Sequence, residues 1–397
     1  MRAEYDRPDG MFSSRVPSDL RINRVTEAIE RFRASGRRLL DLTITNPTRA
    51  GFHYEPDLLS GFASSAGLTY SPSPLGQREA REAVSADFAR RGVTVQANRV
   101  VLTASTSEAY SMLFKLLCEP AGDAVLVPVP SYPLFDHLAR LDGIRPVPYR
   151  LEYHCRWTLD PVSLEEASAS RFRAVVAVTP NNPTGSCCSA DELALLAGTA
   201  AAHDAALVLD EVFADYPLTS GPVLGPSVPG DVLSFRLGGL SKTIGLPQVK
   251  LAWIGVAGPE RLASEAMARL ELIGDTYLSV STPVQLAAGD LLRTAAPLRS
   301  AILARVRANY DCLQALALRH SSVSVLRADA GWSAVLQVSA RQPEEDLVLE
   351  LIEQDGVLVH PGYFFDFAHE AFVVISLLPE VETFTAGVSR LLERVDA

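Results

Sequence analysis

Between residue 100 and residue 256 the chain alternates short apolar runs with stretches of helical spacing. This alternation restricts the fold more than any other feature. The runs are Val100–Thr103, Ala124–Pro128, Val147–Arg150, Ala174–Thr179, Ala206–Asp210, Val232–Leu237 and Val249–Val256. Each is too short for a helix and rich in Val, Leu or Ile, and most end at turn residues. Segments such as Ser107–Leu117 and Ala190–Ala202 lie between them with apolar residues at helical intervals. Strands separated by helices build a mostly parallel sheet covered on both faces. The expectation is an α/β fold with a seven-stranded sheet. In such sheets ligands bind beyond the carboxyl ends of the strands, so polar residues just after the runs are the first candidates for chemistry.

The two ends of the chain read differently. Residues 19–40 carry a helical pattern with Ile22, Val25, Ile29 and Phe32 on one side. After residue 297 a long helical stretch, Leu298–Arg319, is followed by short runs at Val323–Leu326, Ser333–Val338, Val357–Val359 and Phe372–Leu377. A helix near Glu344–Gln354 and a terminal helix complete this part. The expected organisation is a large domain over residues 50–296 and a smaller α+β domain from residues 1–49 and 297–397. Thr48–His53 and Thr294–Pro297 are the candidate crossings. A length of 397 residues suits two packed lobes.

Charge and cysteine usage narrow the function classes. The net charge of -11 disfavours a broad nucleic-acid-binding face. Five cysteines without a C-x-x-C pair suit reduced thiols in a cytoplasmic protein, and the seven histidines show no metal-ligand spacing. The N-terminal residues lack a signal-peptide core, and no run approaches the roughly 20 apolar residues of a membrane-spanning helix. The expectation is a soluble, cytoplasmic protein without metal or nucleic acid.

Four segments carry the chemistry. Pro180-Asn181-Asn182-Pro183-Thr184-Gly185 is a rigid turn directly after a strand. Asp210 ends the run Leu207-Val208-Leu209. Lys242 sits in the small-residue loop Gly238-Gly239-Leu240-Ser241-Lys242-Thr243-Ile244-Gly245. Ser105-Thr106-Ser107-Glu108-Ala109-Tyr110 opens a helix with hydroxyl groups. A helix N-terminus of this kind favours an anion such as a phosphate.

The order and spacing of PNNPTG, LDEV and SKTIGLP resemble the class I/II aminotransferases, which are pyridoxal 5'-phosphate (PLP) enzymes of fold type I. The resemblance runs from about Phe12 to near the C-terminus. It implies that Lys242 holds the cofactor as a Schiff base. It also implies that Asp210 keeps the ring nitrogen protonated and that Asn182 meets the phenolic oxygen. Chemistry agrees: a neutral amine is needed to attack an aldehyde, and a buried carboxylate favours a cationic ring nitrogen. By the same resemblance Tyr132 stacks on the ring. Ser105, Thr106, Ser107, Ser241 and Lys250 hold the phosphate, and Tyr70 reaches the phosphate of the neighbouring subunit of a homodimer with shared active sites.

The chain also departs from the family. Phe213 and Gly239 stand where Tyr and Ser are common, and Lys250 replaces an arginine. The arginine that clamps a substrate carboxylate falls at Val374, and Thr45 stands where glycine is usual. Bidentate arginine pairing is strong, so its loss is informative. Arg49 is the candidate replacement, with Thr45 and Asn182 also facing substrate; Arg327, Trp332 and Tyr363 are weaker candidates for that side. The implied activity is amino-group transfer between an amino acid and a keto acid or aldehyde. The same Schiff-base site could also serve a lyase, decarboxylase, cyclase or oxidase.

Overall fold

A computed structural model describes residues 11–219 and 228–397. The N-terminal residues read above for a leader lie partly outside the described residues. The strands are β1 (Leu40–Asp41), β2 (Val100–Thr103), β3 (Ala124–Val129), β4 (Arg145–Tyr153), β5 (Trp157–Leu159), β6 (Phe172–Val178) and β7 (Ala206–Asp210). They continue as β8 (Ser234–Gly239), β9 (Ala252–Ala257), β10 (Val323–Val325), β11 (Ser333–Val338), β12 (Val357–Leu358), β13 (His360–Pro361) and β14 (Phe372–Ser376).

The large sheet has eight strands in the order β2-β9-β8-β7-β6-β3-β4-β5. Strands β8, β7, β6, β3 and β4 run parallel, whereas β9 is antiparallel to both its neighbours. Two reversals bring β2 back into the direction of β8. The carboxyl ends of β2, β3, β6, β7 and β8 therefore share one edge of the sheet. All seven expected strands are present. The eighth, β5, corrects the expected count. It is a three-residue edge strand pairing antiparallel with β4. The connecting turn contains no Gly, Pro, Asn or Asp; Cys155 takes the left-handed conformation instead, with φ 61°. That turn carries none of the residues that signal a hairpin.

The small sheet has the order β10-β11-β14-β13 and is antiparallel throughout. The first helix spans Arg24–Ala34 and buries Val25, Ala28 and Phe32. Ile22 lies before it and is exposed, which corrects its expected place on the buried stripe. Asn23 caps this helix by accepting from the Thr26 N–H at 2.8 Å, so the helix starts after Ile22. The regular helix at Glu344–Glu350 passes into a single π turn over Leu351–Asp355. One hydrophobic core runs continuously from the C-terminal helix and the small sheet to Phe88, Val100 and Trp253 against the large sheet.

Candidate active site

A cavity of about 300 Å³ opens at the carboxyl edge of the large sheet. It lies at the lower end of the size range of small-molecule sites. It gathers Thr45, Ser105, Thr106, Ser107, Tyr132, Asn182, Asp210, Ser241 and Lys242, nine positions singled out from the sequence. They come from five strand ends and the segment after β1, because parallel strands deliver their following loops to the same edge.

Asp210 closes β7 in register with Val178 and Leu237 and is almost wholly buried. Its Oδ1 accepts from the Val212 N–H at 3.2 Å, and its Oδ2 accepts from the Tyr110 hydroxyl at 3.0 Å. Burial pushes its pKa up to about 6, against the pull of those two donors and of the Lys242 charge. Lys242 lies in the short helix Leu240–Thr243 that follows β8. Burial lowers its pKa to about 8, and the nearby Asp210 carboxylate partly offsets that. Its Nζ lies 4.9 Å from the centroid of the Trp332 ring and 5.6 Å from that of Phe213. The amine lies beside these rings with no carboxylate paired to it directly, and its burial keeps much of it neutral near pH 8 and able to attack a carbonyl.

The phosphate candidates have a definite geometry. Ser105 caps the helix Thr106–Leu117, its hydroxyl accepting from the Glu108 N–H at 3.1 Å. The Glu108 carboxylate accepts from the Ala104 N–H at 2.5 Å. The cap leaves the N–H groups of Thr106 and Ser107 without intrahelical acceptors, at the positive end of the helix. Gly239 lines the same wall. A Cβ there would stand 2.9 Å from Ala252 Cβ and 3.2 Å from Leu251 O, so the space a serine needs is already taken. Asn182 follows β6 in a turn with cis bonds at Thr179–Pro180 and Asn182–Pro183. The Ser333 hydroxyl donates to its Oδ1 at 3.3 Å, which leaves the amide N–H groups as donors toward the cavity.

Segment 328–333, leading into β11, is fastened to the large sheet. The Gly185 carbonyl accepts from Asp329 N–H at 2.9 Å and Ala330 N–H at 3.0 Å, and Tyr216 O accepts from Gly331 N–H at 2.8 Å. Gly185 has φ +67°, and a Cβ on it would meet Ala328 Cβ and Ala330 O at 2.6 Å. Glycine is required there, and the close approach delivers Trp332 and Ser333 to the cavity.

Three expected site residues lie elsewhere. Arg49 ends the 3-10 turn Pro47–Arg49 and is exposed, outside the cavity lining. Lys250 is exposed in the left-handed conformation, with φ 60°. Tyr70 is 77% exposed and lines a separate groove with Tyr277 and Gln285. Of the weaker candidates, Arg327 is exposed and paired with Asp329, and Tyr363 lines another cleft and donates to Glu345. Val374 is buried with Trp157, Leu326, Val335 and Phe365, so an apolar cluster fills the place where a carboxylate clamp was expected. Sequence reasoning quoted Tyr110 but gave it no role. Its signal was its spacing: it follows Thr106 by four residues and so shares its helix face. Among the described residues no group of three or more His, Cys, Asp or Glu is placed to hold a metal ion. No described helix is long and apolar enough to cross a membrane.

Residues 44–391 match a family model described as aminotransferase class I and II. The alanine aminotransferase of Mycobacterium tuberculosis is 26% identical over 375 residues, covering 91% of this chain and 86% of the relative. The glutamate-pyruvate aminotransferase AlaA of Escherichia coli is 25% identical over 385 residues, 92% of each chain. In three dimensions the chain resembles an aminotransferase from Escherichia coli with a TM-score of 0.84 and 22% identity, covering 97% and 98% of the two chains.

Proposed function

Because the chain belongs to the class I and II aminotransferases, we propose a residue-level account of how this PLP-dependent enzyme moves an amino group between an amino acid and a keto acid or aldehyde. The observation that carries it is the meeting of Lys242 and Asp210 in one buried cavity at the strand ends. The residues present fit the cofactor. A buried carboxylate has one protein donor on each oxygen and room for another. A depressed amine, a capped helix N-terminus and an aromatic ring surround the same space.

When bound, pyridoxal phosphate supplies an aldehyde that condenses with amines and a ring that withdraws the electron pair released at the substrate α-carbon. Lys242 presents a neutral amine to that aldehyde and, once displaced by substrate, carries the proton between carbon atoms. Asp210 holds a proton on the ring nitrogen. Thr106 and Ser107 N–H groups, with the hydroxyls of Ser105, Thr106, Ser107 and Ser241, receive the phosphate. Tyr132 would hold one face of the ring, and the Asn182 amide would donate to the phenolic oxygen. Residues 50–296 make up the cofactor-binding domain, with residues 1–49 and 297–397 as the smaller one. The exposed Tyr70 would serve the neighbouring subunit of a homodimer, whereas Lys250, exposed and outside the cavity lining, is given no contact with the phosphate.

At the substrate end, Thr45 and Asn182 are the neutral donors for the carboxylate, since Val374 faces an apolar cluster. Arg49, exposed and outside the cavity lining, is not assigned to that end. The test is reconstitution with pyridoxal phosphate, then amino donors and keto acids in pairs, with product amino acids separated by chromatography. Wild type forms the product and Lys242→Ala does not. Failure of wild type to take up the cofactor, or undiminished turnover by Lys242→Ala, overturns the reading.

A further inference from the structure

We propose that Tyr110 is a positioning residue for the reaction: through its hydrogen bond it keeps the Asp210 carboxylate ionised and reserves one of its oxygen lobes for the cofactor ring nitrogen. The inference rests on the reading that Asp210 faces that nitrogen.

Tyr110 lies in the second turn of the helix Thr106–Leu117, whose first residues line the phosphate end of the cavity. One helix thus carries both the anion cap and the donor to the acid. The Tyr110 ring is buried and meets Phe135 edge-on at 5.1 Å and Phe114 tilted at 6.0 Å. Those two rings restrict its rotation and aim the hydroxyl at Asp210 Oδ2, 3.0 Å away. The Val212 N–H occupies Oδ1 at 3.2 Å. Each oxygen then has a single protein donor, and the carboxylate is pinned in rotation about its own bond.

The pin matters because the acid sits where burial disfavours charge. Burial pushes Asp210 upward, and the adjoining Glu211 adds to this, whereas the Tyr110 hydroxyl, the Val212 N–H and Lys242 oppose it. The Tyr132 hydroxyl also senses the Asp210 charge. Glu211 is itself paired with Arg236 and lies 3.6 Å from Arg91, so its charge is largely met on the far side. With the cofactor in place, one proton is shared between the ring nitrogen and Asp210. A hydroxyl that donates to the carboxylate stabilises the form with the proton on the ring. Removing that hydroxyl moves the same proton from the ring nitrogen to the Asp210 oxygen, with no other group gaining or losing one. The ring then withdraws electrons less well.

Tyr110→Phe keeps the ring packing and deletes only the donor. Tyr149→Phe is the control: its hydroxyl is equally buried but donates to Val176 O at 2.8 Å, away from Asp210. The first readout is the ring nitrogen of 15N-labelled pyridoxal phosphate in the holoenzyme, by solid-state NMR. In Tyr110→Phe its signal moves from the protonated toward the neutral position, and in Tyr149→Phe it stays. The second is kinetic: a charge-assisted bond of this kind corresponds to a fall in kcat of about tenfold or more, with KM for the donor within about twofold. The third uses the full chain without cofactor, where carbon NMR follows the Asp210 carboxyl; its midpoint rises in Tyr110→Phe. An unmoved midpoint, or an equal nitrogen shift in Tyr149→Phe, overturns the proposal. Wild type that binds no cofactor refutes the assignment of Asp210 instead, while the carboxyl titration still decides whether Tyr110 controls its charge.

Discussion

The Tyr216 hydroxyl donates to the carbonyl oxygen of Lys242 at 2.5 Å, fixing the backbone of the reactive lysine from behind. Tyr216 is fully buried, and its ring meets Trp332 edge-on at 5.0 Å, the same Trp332 that lies beneath the lysine amine. Arg299 Nε donates to the next carbonyl, Thr243 O, at 3.0 Å. Tyr216→Phe is expected to cost about 1–2 kcal/mol in denaturant unfolding, the range for a lost buried hydrogen bond. It should lower kcat more than it raises KM, because it loosens the attacking group and not the substrate pocket. Unchanged stability together with unchanged kcat contradicts the clamp.

Capture of the cofactor should follow the Lys242 titration. Its pKa is lowered from 10.5 to about 8, so the neutral amine accumulates as pH rises through about 8 and is saturated well below 10.5. Stopped-flow absorbance of cofactor-free protein mixed with pyridoxal phosphate should show a rate that climbs through that window and then levels. The linkage has the matching sign. Between pH 8 and 10.5 the unfolded chain binds the extra proton, so this group makes the folded cofactor-free chain more stable as pH increases. In Asp210→Asn the capture profile should move to lower pH, because the carboxylate raises the lysine pKa.

Restoring the family's serine at position 239 should do harm. The backbone there is extended, with φ -179°, so conformation is not the obstacle. Space is: the added Cβ would stand 2.9 Å from Ala252 Cβ. Gly239→Ser is expected to destabilise by about 1–3 kcal/mol, typical of overpacking. Adding Ala252→Gly should recover a large part of the loss, and a double-mutant cycle in thermal unfolding measures the coupling. Simple additivity of the two changes would argue against the contact.

Grafting the missing clamp, Val374→Arg, should fail as a repair. Val374 is 2% exposed among Trp157, Leu326, Val335 and Phe365, so a guanidinium there lacks a carboxylate partner. A loss of roughly 3 kcal/mol or more is expected, as for a buried unpaired charge. Chemical denaturation of the variant reads this directly. A variant as stable as wild type, with a lower KM for its amino donor, would show that the side chain turns toward the cavity after all.

What could be read from the sequence follows from what short stretches encode. The run Ala206–Asp210 declares a buried strand through its own residues, and a parallel sheet then obliges the acid at its end to sit on the ligand edge. The loop holding Lys242 and the hydroxyl-rich turn at 105–107 were legible for the same reason. By contrast, β5 was hidden because Cys155 makes its turn without a turn residue, and Ile22 mimicked the buried stripe of a helix that begins after it.

The amino-acid order alone determined the alternation of strand and helix, the edge where chemistry gathers, and the lysine and acid that share it, because each is written in contiguous residues. Only the tertiary structure decided that Tyr110 meets an acid 100 residues away, that Val374 faces aromatic rings, and that Arg49 lies outside the cavity. Those outcomes depend on how separated segments pack and on which side of a strand or turn a side chain emerges. No local pattern records such pairings, since the burial that selects them exists only once the whole core has closed.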